Sequence, residues 1–315
     1  MVSRPFRFGV MLSERFAPHA PLPRDPQGWA DKVRELEDIG YSTVTLTDHA
    51  DSAYAPLLAL TAAIGATTRL RLGTLVIAAD LRHPFMLAKE AATLALLSEH
   101  RFELGIGAGW DAPDYAAAGL TFDKPAVRIE RLAEYVSILR TLWAGEPVHH
   151  QGRFLCAEVA PAVAETCKAS VRLLIGGGGK RVLSLAAQHA DTVGVNVPIR
   201  GGAFGADAVA AATRDATRER IDWVRAAAGP RFDQIELSIA PLTMVTDDRS
   251  TALEAVARRF GQPPEHIAAS PLFIIGSLDH VSEELQRMQE DYGFSYIIFT
   301  GGSETTLAPV IHQLS

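Results

Sequence analysis

Residues 70–106 read LRLGTLVIAADLRHPFMLAKEAATLALLSEHRFELGI, and the order of segments inside this stretch decides the fold. Leu70–Ala78 is a short apolar run suited to a buried strand, Phe85–Leu97 a longer apolar helix, and Arg101–Ile106 a second strand. A helix between two strands is a crossover that returns the chain to the same edge of a sheet, so the strands pair in parallel. Parallel strands are covered on both faces, and runs such as Val44–Leu46 or Ile297–Phe299 elsewhere in the chain have that character.

The rhythm extends in both directions. Toward the N-terminus, Phe6–Leu12 reads as a strand and Gly28–Ile39 as a helix, with Trp29, Val33, Leu36 and Ile39 at helical spacing and Gly40 past its end. Ser42–Thr47 is a β-branched strand and Pro56–Ala66 an apolar helix. Toward the C-terminus the helix Pro125–Leu142 precedes strand Val171–Ile175, helix Lys180–His189, strand Thr192–Val195 and helix Ala206–Ala227. Strand Ile235–Val245, helices Ser250–Phe260 and Val281–Tyr292, and strand Ser295–Thr300 complete the series. Eight strands, nearly all followed by a helix, close into a (β/α)8 TIM barrel more naturally than into an open doubly wound sheet. Glu146–Thr166 (with a short hairpin at Val148–Phe154), Pro198–Asp233 (with Gly201 and Gly202) and Gln262–Ser277 interrupt the rhythm and read as insertions at loops. No linker or short repeat divides the chain, so residues 1–315 are expected to form a single domain.

Composition narrows the function. Hydrophobic residues make up 48% and charged residues 21% of 315, an ordinary globular balance. The net charge of −7, with Lys and Arg scattered, argues against nucleic acid. Cys156 and Cys167 have neither CxxC spacing nor a disulfide framework around them. No apolar run of 18 residues and no signal-peptide core is present, so a cytoplasmic protein away from the membrane is the expectation.

In a barrel the chemistry follows the strands. After the fifth strand comes Gly176-Gly177-Gly178-Gly179-Lys180-Arg181, opening a helix whose free N–H groups suit a phosphate. It is neither a Walker loop nor a GxGxxG fingerprint. After the second strand comes Thr47-Asp48-His49; His49 suits proton transfer near neutral pH, and Asp48 suits either a site or a plain hydrogen-bond acceptor. The third strand carries Gly73, Thr74, Leu75 and Val76. The fourth is followed by Gly107-Ala108-Gly109-Trp110-Asp111, where Trp110 could cover a planar ring. A metal set on Asp48, His49 and Asp51 is disfavoured, as is a lysine Schiff base or a glycosidase carboxylate pair.

These pieces together resemble the luciferase-like superfamily, and within it the branch that uses the deazaflavin coenzyme F420. The resemblance rests on Ser42–His49, on Arg71–Val76 (RLGTLV), and on His83-Pro84. It also rests on Phe102–Gly109 (FELGIGAG), Leu174–Lys180 (LIGGGGK) and Phe273–Leu285 (FIIGSLDHVSEEL), and it covers most of the chain. It implies a small-molecule oxidoreductase in which His49 faces the deazaflavin ring and the substrate. It implies a cis peptide at Leu75–Val76 behind the ring, with Asp48 and Thr74 among the cofactor-binding positions. Ala108 and Gly109 would line the cofactor tail; Gly176, Gly177, Gly178, Gly179 and Lys180 would hold its phosphate. Trp110 and Asp111 would border the substrate, and Trp110 stands where sugar-phosphate dehydrogenases of the branch carry a glutamate. Tyr54 is the nearest aromatic after the Asp-His pair. Two alternatives accompany this reading: a monooxygenase using reduced FMN and oxygen, and a barrel that binds a flavin or phosphate ligand without turnover. Relatives commonly dimerise through helices that here would be Pro56–Ala66 and Phe85–Leu97, so a homodimer is expected.

Overall fold

The β-α-β unit of residues 70–106 is present in the computed structural model, which describes residues 4–199, 202 and 204–315. Gly201, expected in a loop insertion, and the first three residues lie outside the described residues. Eight parallel strands form the barrel. They are β1 (Arg7–Leu12), β2 (Thr43–Leu46), β3 (Arg71–Thr74, continued by Ile77–Ala78) and β4 (Phe102–Gly107). β5 (Arg172–Gly177), β6 (Thr192–Val195), β7 (Glu236–Ile239) and β8 (Phe294–Thr300) follow. Each pairs with the next in sequence, and β8 pairs with β1, so the sheet closes and no edge remains.

All four residues of β2 and all six of β4 are buried, as strands covered on both faces must be. Phe8, Val10, Val44, Leu72, Leu104 and Ile297 belong to the main core, beneath the ring of helices. Trp29 and Trp143 bury their rings there while donating Nε1–H to the carbonyls of Ala59 (2.9 Å) and Ala88 (3.1 Å) in neighbouring helices. The opposite face of the strands fills the barrel. At its base Arg7 donates to Glu103 at 2.7 Å and to Glu236 at 2.7 Å, and Arg71 donates to Glu103 at 2.6 Å. Burial pushes the Glu103 carboxyl up, but Arg7, Arg71 and Arg172 together hold it below its ordinary value. Higher in the barrel, Met11, Leu174, Tyr296 and Ile298 form a separate apolar cluster against which Leu75 and Val76 pack.

Several boundaries differ from the sequence reading. The segment Ile235–Val245 is two strands: β7 stays in the barrel, while Leu242–Val245 leaves to pair in parallel with Phe273–Gly276. Pro241 sits at the break and has no N–H for a ladder. Ala206–Ala227 is likewise two helices, Ala206–Ala210 and Arg214–Ala228, the second started by Thr213, whose hydroxyl accepts from Ala216 N at 3.1 Å. The hairpin in the insertion Glu146–Thr166 is formed by Val148–Gln151 and Cys156–Val159. No helix among the described residues is long and apolar enough to cross a membrane.

Candidate active site

The strands end at one mouth, where complete burial gives way to partial exposure. His49, Leu75, Val76, Ala108, Gly109, Trp110, Gly176, Gly177 and Gly179 are all partly accessible there.

His49 is held by a carboxylate that the sequence did not single out. Its Nδ1 lies 2.7 Å from Asp114 Oδ2, and the other Asp114 oxygen accepts from Ala50 N at 2.8 Å. The Trp110 ring stands edge-on to the imidazole at 5.2 Å, and Phe16 approaches at 6.1 Å. Next to them Arg15 clamps Asp111 with two hydrogen bonds of 2.9 and 2.8 Å. Asp111 is thus buried and fully engaged behind Trp110. One donor atom from each of His49, Asp111 and Asp114 falls within 4.8 Å of the others, but Arg15, the imidazole and Ala50 N already take the four carboxylate oxygens. This donor set forms a closed cluster of hydrogen bonds among the protein's own groups. Asp51 is exposed and, among the described residues, pairs with Arg15 alone, at 3.5 Å.

Asp48 points elsewhere. Arg82 grips both its oxygens, one at 2.9 Å, and Ala78 N donates to it at 3.4 Å, so Asp48 ties the exit of β2 to that of β3. Between the two parts of β3 the Leu75–Val76 peptide is cis. Thr74 Oγ1 donates to Gly105 O at 2.8 Å and accepts from Gly105 N at 3.0 Å. A Cβ on Gly105 would lie 2.0 Å from the Thr74 carbonyl oxygen, so glycine is required where the displaced β3 crosses β4. Val76 then faces Gly107 and Gly176, whose added Cβ atoms would lie 3.0 and 3.7 Å from it, and Gly194 lies against Gly176. Glycines on three neighbouring strands therefore make room for the Val76 side chain, which with Leu75 is partly accessible at the mouth.

The glycine run after β5 divides by role. A Cβ on Gly177 would strike Val182 at 2.3 Å, and one on Gly178 would strike the Val197 backbone at 2.1 Å. Gly179, the N-cap of helix Lys180–His189, has nothing within 4 Å. The first turn of that helix holds no acid, and Lys180 is exposed and unpaired among the described residues. Cations at a helix N-terminus oppose the dipole unless an anion lies between them. Beneath the loop, buried Arg220 donates Nε–H to Gly178 O at 3.2 Å and Nη2–H to Ala211 O at 2.9 Å. Desolvation pushes this guanidinium below its usual value, as befits a cation whose hydrogen-bond partners are neutral carbonyls.

The luciferase-like monooxygenase family model matches residues 6–293. The chain belongs to the luciferase-like monooxygenase family. Similar proteins include an F420-dependent glucose-6-phosphate dehydrogenase of Nakamurella multipartita, 28% identical over 263 residues, or 81% of this chain and 72% of the relative. A 4-hydroxyprotoasukamycin monooxygenase of Streptomyces nodosus subsp. asukaensis is 29% identical, over 91% of this chain and 83% of its own. In fold, the coenzyme F420-dependent tetrahydromethanopterin reductase of Methanopyrus kandleri superposes with a TM-score of 0.72 and 19% identity. That match covers 99% of this chain and 98% of the other.

For this luciferase-like enzyme the sequence located the mouth but missed Arg15, Arg82, Asp114 and Arg220. Asp114 lies three residues after Asp111, within a short helix, Ala112–Ala117, that no periodicity announces. Arg15 carries no motif at all.

Proposed function

We propose that this chain is a cytoplasmic, coenzyme F420-dependent oxidoreductase that moves a hydride between C5 of the deazaflavin and a small organic substrate, with residues 1–315 as one catalytic domain. The observation that carries this reading is the pairing of an apolar, partly accessible floor at Leu75 and Val76, seated on Gly107 and Gly176, with an open, cation-bearing helix N-terminus at Gly179-Lys180. The first suits a planar tricycle and the second suits a phosphate, the two recognisable ends of such a cofactor. The resemblance to proteins named F420-dependent supports the deazaflavin in particular. When bound, the cofactor supplies the two-electron hydride chemistry. The chain's residues do the rest. Leu75 and Val76 support the ring, Ala108 and Gly109 border the tail, and Trp110 walls the substrate side. His49 holds or accepts a proton at Nε2, for which no described residue is a partner.

A second reading, an FMN-dependent monooxygenase, is favoured by the likeness to the protein named 4-hydroxyprotoasukamycin monooxygenase. Titration with oxidised F420 and with FMN, on wild type and on Gly179→Asp, separates the readings. Aspartate fits at position 179 and is a good N-cap, so the variant keeps its fold while placing a negative charge at the loop. Selective F420 binding lost in Gly179→Asp supports the proposal. Selective FMN binding supports the monooxygenase, binding of either without turnover leaves a carrier barrel, and binding of neither overturns the redox assignment.

The enzyme is further proposed to be a homodimer. Leu58 is 75% exposed, Leu96 71%, Leu97 55% and Met86 51%, all on the two apolar helices beside β2 and β3.

A further inference from the structure

We propose that Asp114 is the positioning residue of His49: it fixes the imidazole with its proton on Nδ1 and leaves Nε2 as the acceptor for a substrate hydroxyl proton. The inference rests on the oxidoreductase reading above only for the identity of the reaction; the tautomer is a property of the protein alone.

A carboxylate has only lone pairs, and Asp114 uses one oxygen for Ala50 N–H at 2.8 Å and the other for His49 Nδ1 at 2.7 Å. The Nδ1 position must therefore carry a hydrogen, and in the neutral ring Nε2 must then be the lone pair. The Ala50 contact locks the carboxylate to the same backbone turn that carries the imidazole, so the two cannot drift apart without unfolding that turn. Both side chains are largely buried, 10% and 6% exposed, which strengthens the interaction. The edge-on Trp110 ring and Phe16 then allow the imidazole little room to flip.

Other charges near the imidazole are already paired. Arg15 is bound by Asp111 and approached by Asp51, and Asp48 is bound by Arg82. Asp114 is thus the carboxylate hydrogen-bonded to His49. In the oxidising direction, a substrate O–H bond breaks and its proton passes to Nε2. The carbon bearing that oxygen would release its hydride, which a bound oxidised deazaflavin would take up, so that C–O becomes C=O. The imidazolium, paired with Asp114, returns the proton in the reverse direction.

The test is nitrogen NMR of His49 in cofactor-free protein, wild type and Asp114→Asn, with Asp114→Glu as the conservative rescue. Wild type is expected to show the Nδ1–H tautomer. The asparagine variant, whose amide can donate to Nδ1, is expected to show the Nε2–H tautomer. An Nε2–H tautomer in the wild type, or a tautomer unmoved by Asp114→Asn, overturns the proposal, and the wild-type spectrum decides even where the variant does not fold. In turnover of the F420-loaded enzyme with a secondary alcohol, Asp114→Asn is expected to lower kcat about 10²-fold or more with little change in KM. Asp114→Glu should recover part of it. In a His49→Ala background the same substitution should cost less than about threefold, since coupled residues are non-additive; an equal loss in both backgrounds assigns Asp114 a merely structural role. Should wild type fail to bind or reduce F420, the reading of the reaction falls while the spectra still decide the Asp114–His49 pair.

Discussion

Arg15 clamps Asp111 through two hydrogen bonds, at 2.9 and 2.8 Å, and so joins the loop after β1 to the loop after β4. The Asp111 side chain is 2% exposed, and the Arg15 guanidinium carbon lies 5.3 Å from the centre of the Trp110 ring. Arg15→Ala leaves a buried carboxylate without its counterion and is expected to cost about 3 kcal/mol. Urea unfolding should show a lower midpoint at unchanged slope. An unmoved midpoint would mean that water or a rearranged loop satisfies Asp111 equally well.

Gly105→Ala tests the crossing of β3 and β4. The added methyl would meet the Thr74 carbonyl oxygen at 2.0 Å, backbone against side chain, and neither strand can yield inside a closed barrel. A loss of about 3 kcal/mol is expected, with loss of cofactor binding because Val76 is displaced. Gly179→Ala, with nothing within 4 Å, is the matched control and should retain the wild-type melting temperature within a few degrees.

The base of the barrel should show itself in acid. Glu103 titrates below its ordinary value of 4.5 because Arg7, Arg71 and Arg172 outweigh the cost of burying its charge. A carboxyl depressed in the folded state adds stability above its unfolded pKa, and that stability is lost as pH falls through the folded value. Glu103→Gln removes this share. The variant is expected to be less stable at neutral pH by about 3 kcal/mol, chiefly because Arg71 loses its carboxylate while Arg7 and Arg172 keep Glu236. Its stability should fall less steeply than wild type below about pH 4.5. Denaturant titrations across that range are the measurement, and parallel curves would exclude the ion cluster as a source of acid sensitivity.

Substituting Leu58→Glu and Leu96→Glu together probes the dimer. Light scattering is expected to report a dimer for wild type and a monomer for the variant, with melting temperature lowered at micromolar concentration. A wild-type monomer sinks the dimer proposal.

Arg220→Met removes the cation under the glycine loop while preserving its bulk. Affinity for F420 is expected to fall about tenfold, with the phosphate-free deazaflavin nucleoside unaffected. Equal losses for both ligands would indicate that Arg220 only braces Gly178.

Much of this was written locally. The alternation of buried strands and amphipathic helices follows from side-chain periodicity, so the eight-stranded barrel was legible from stretches such as residues 70–106. Gly176–Lys180 and His49 were legible as elements of the strand-end mouth because a barrel exposes whatever follows a strand. The tertiary structure alone decided how those elements are partnered. His49 and Asp114 stand 65 residues apart and Arg15 and Asp111 stand 96 apart, distances over which no local pattern reports contact. Only the closing of the sheet brings their loops to one rim. It also decided that Gly178 is fixed by the Val197 backbone while Gly179 is open, and that the chain past Pro241 leaves the barrel for Phe273–Gly276. Local sequence sets which backbone forms are accessible; which groups then satisfy one another depends on where closure of the barrel places them.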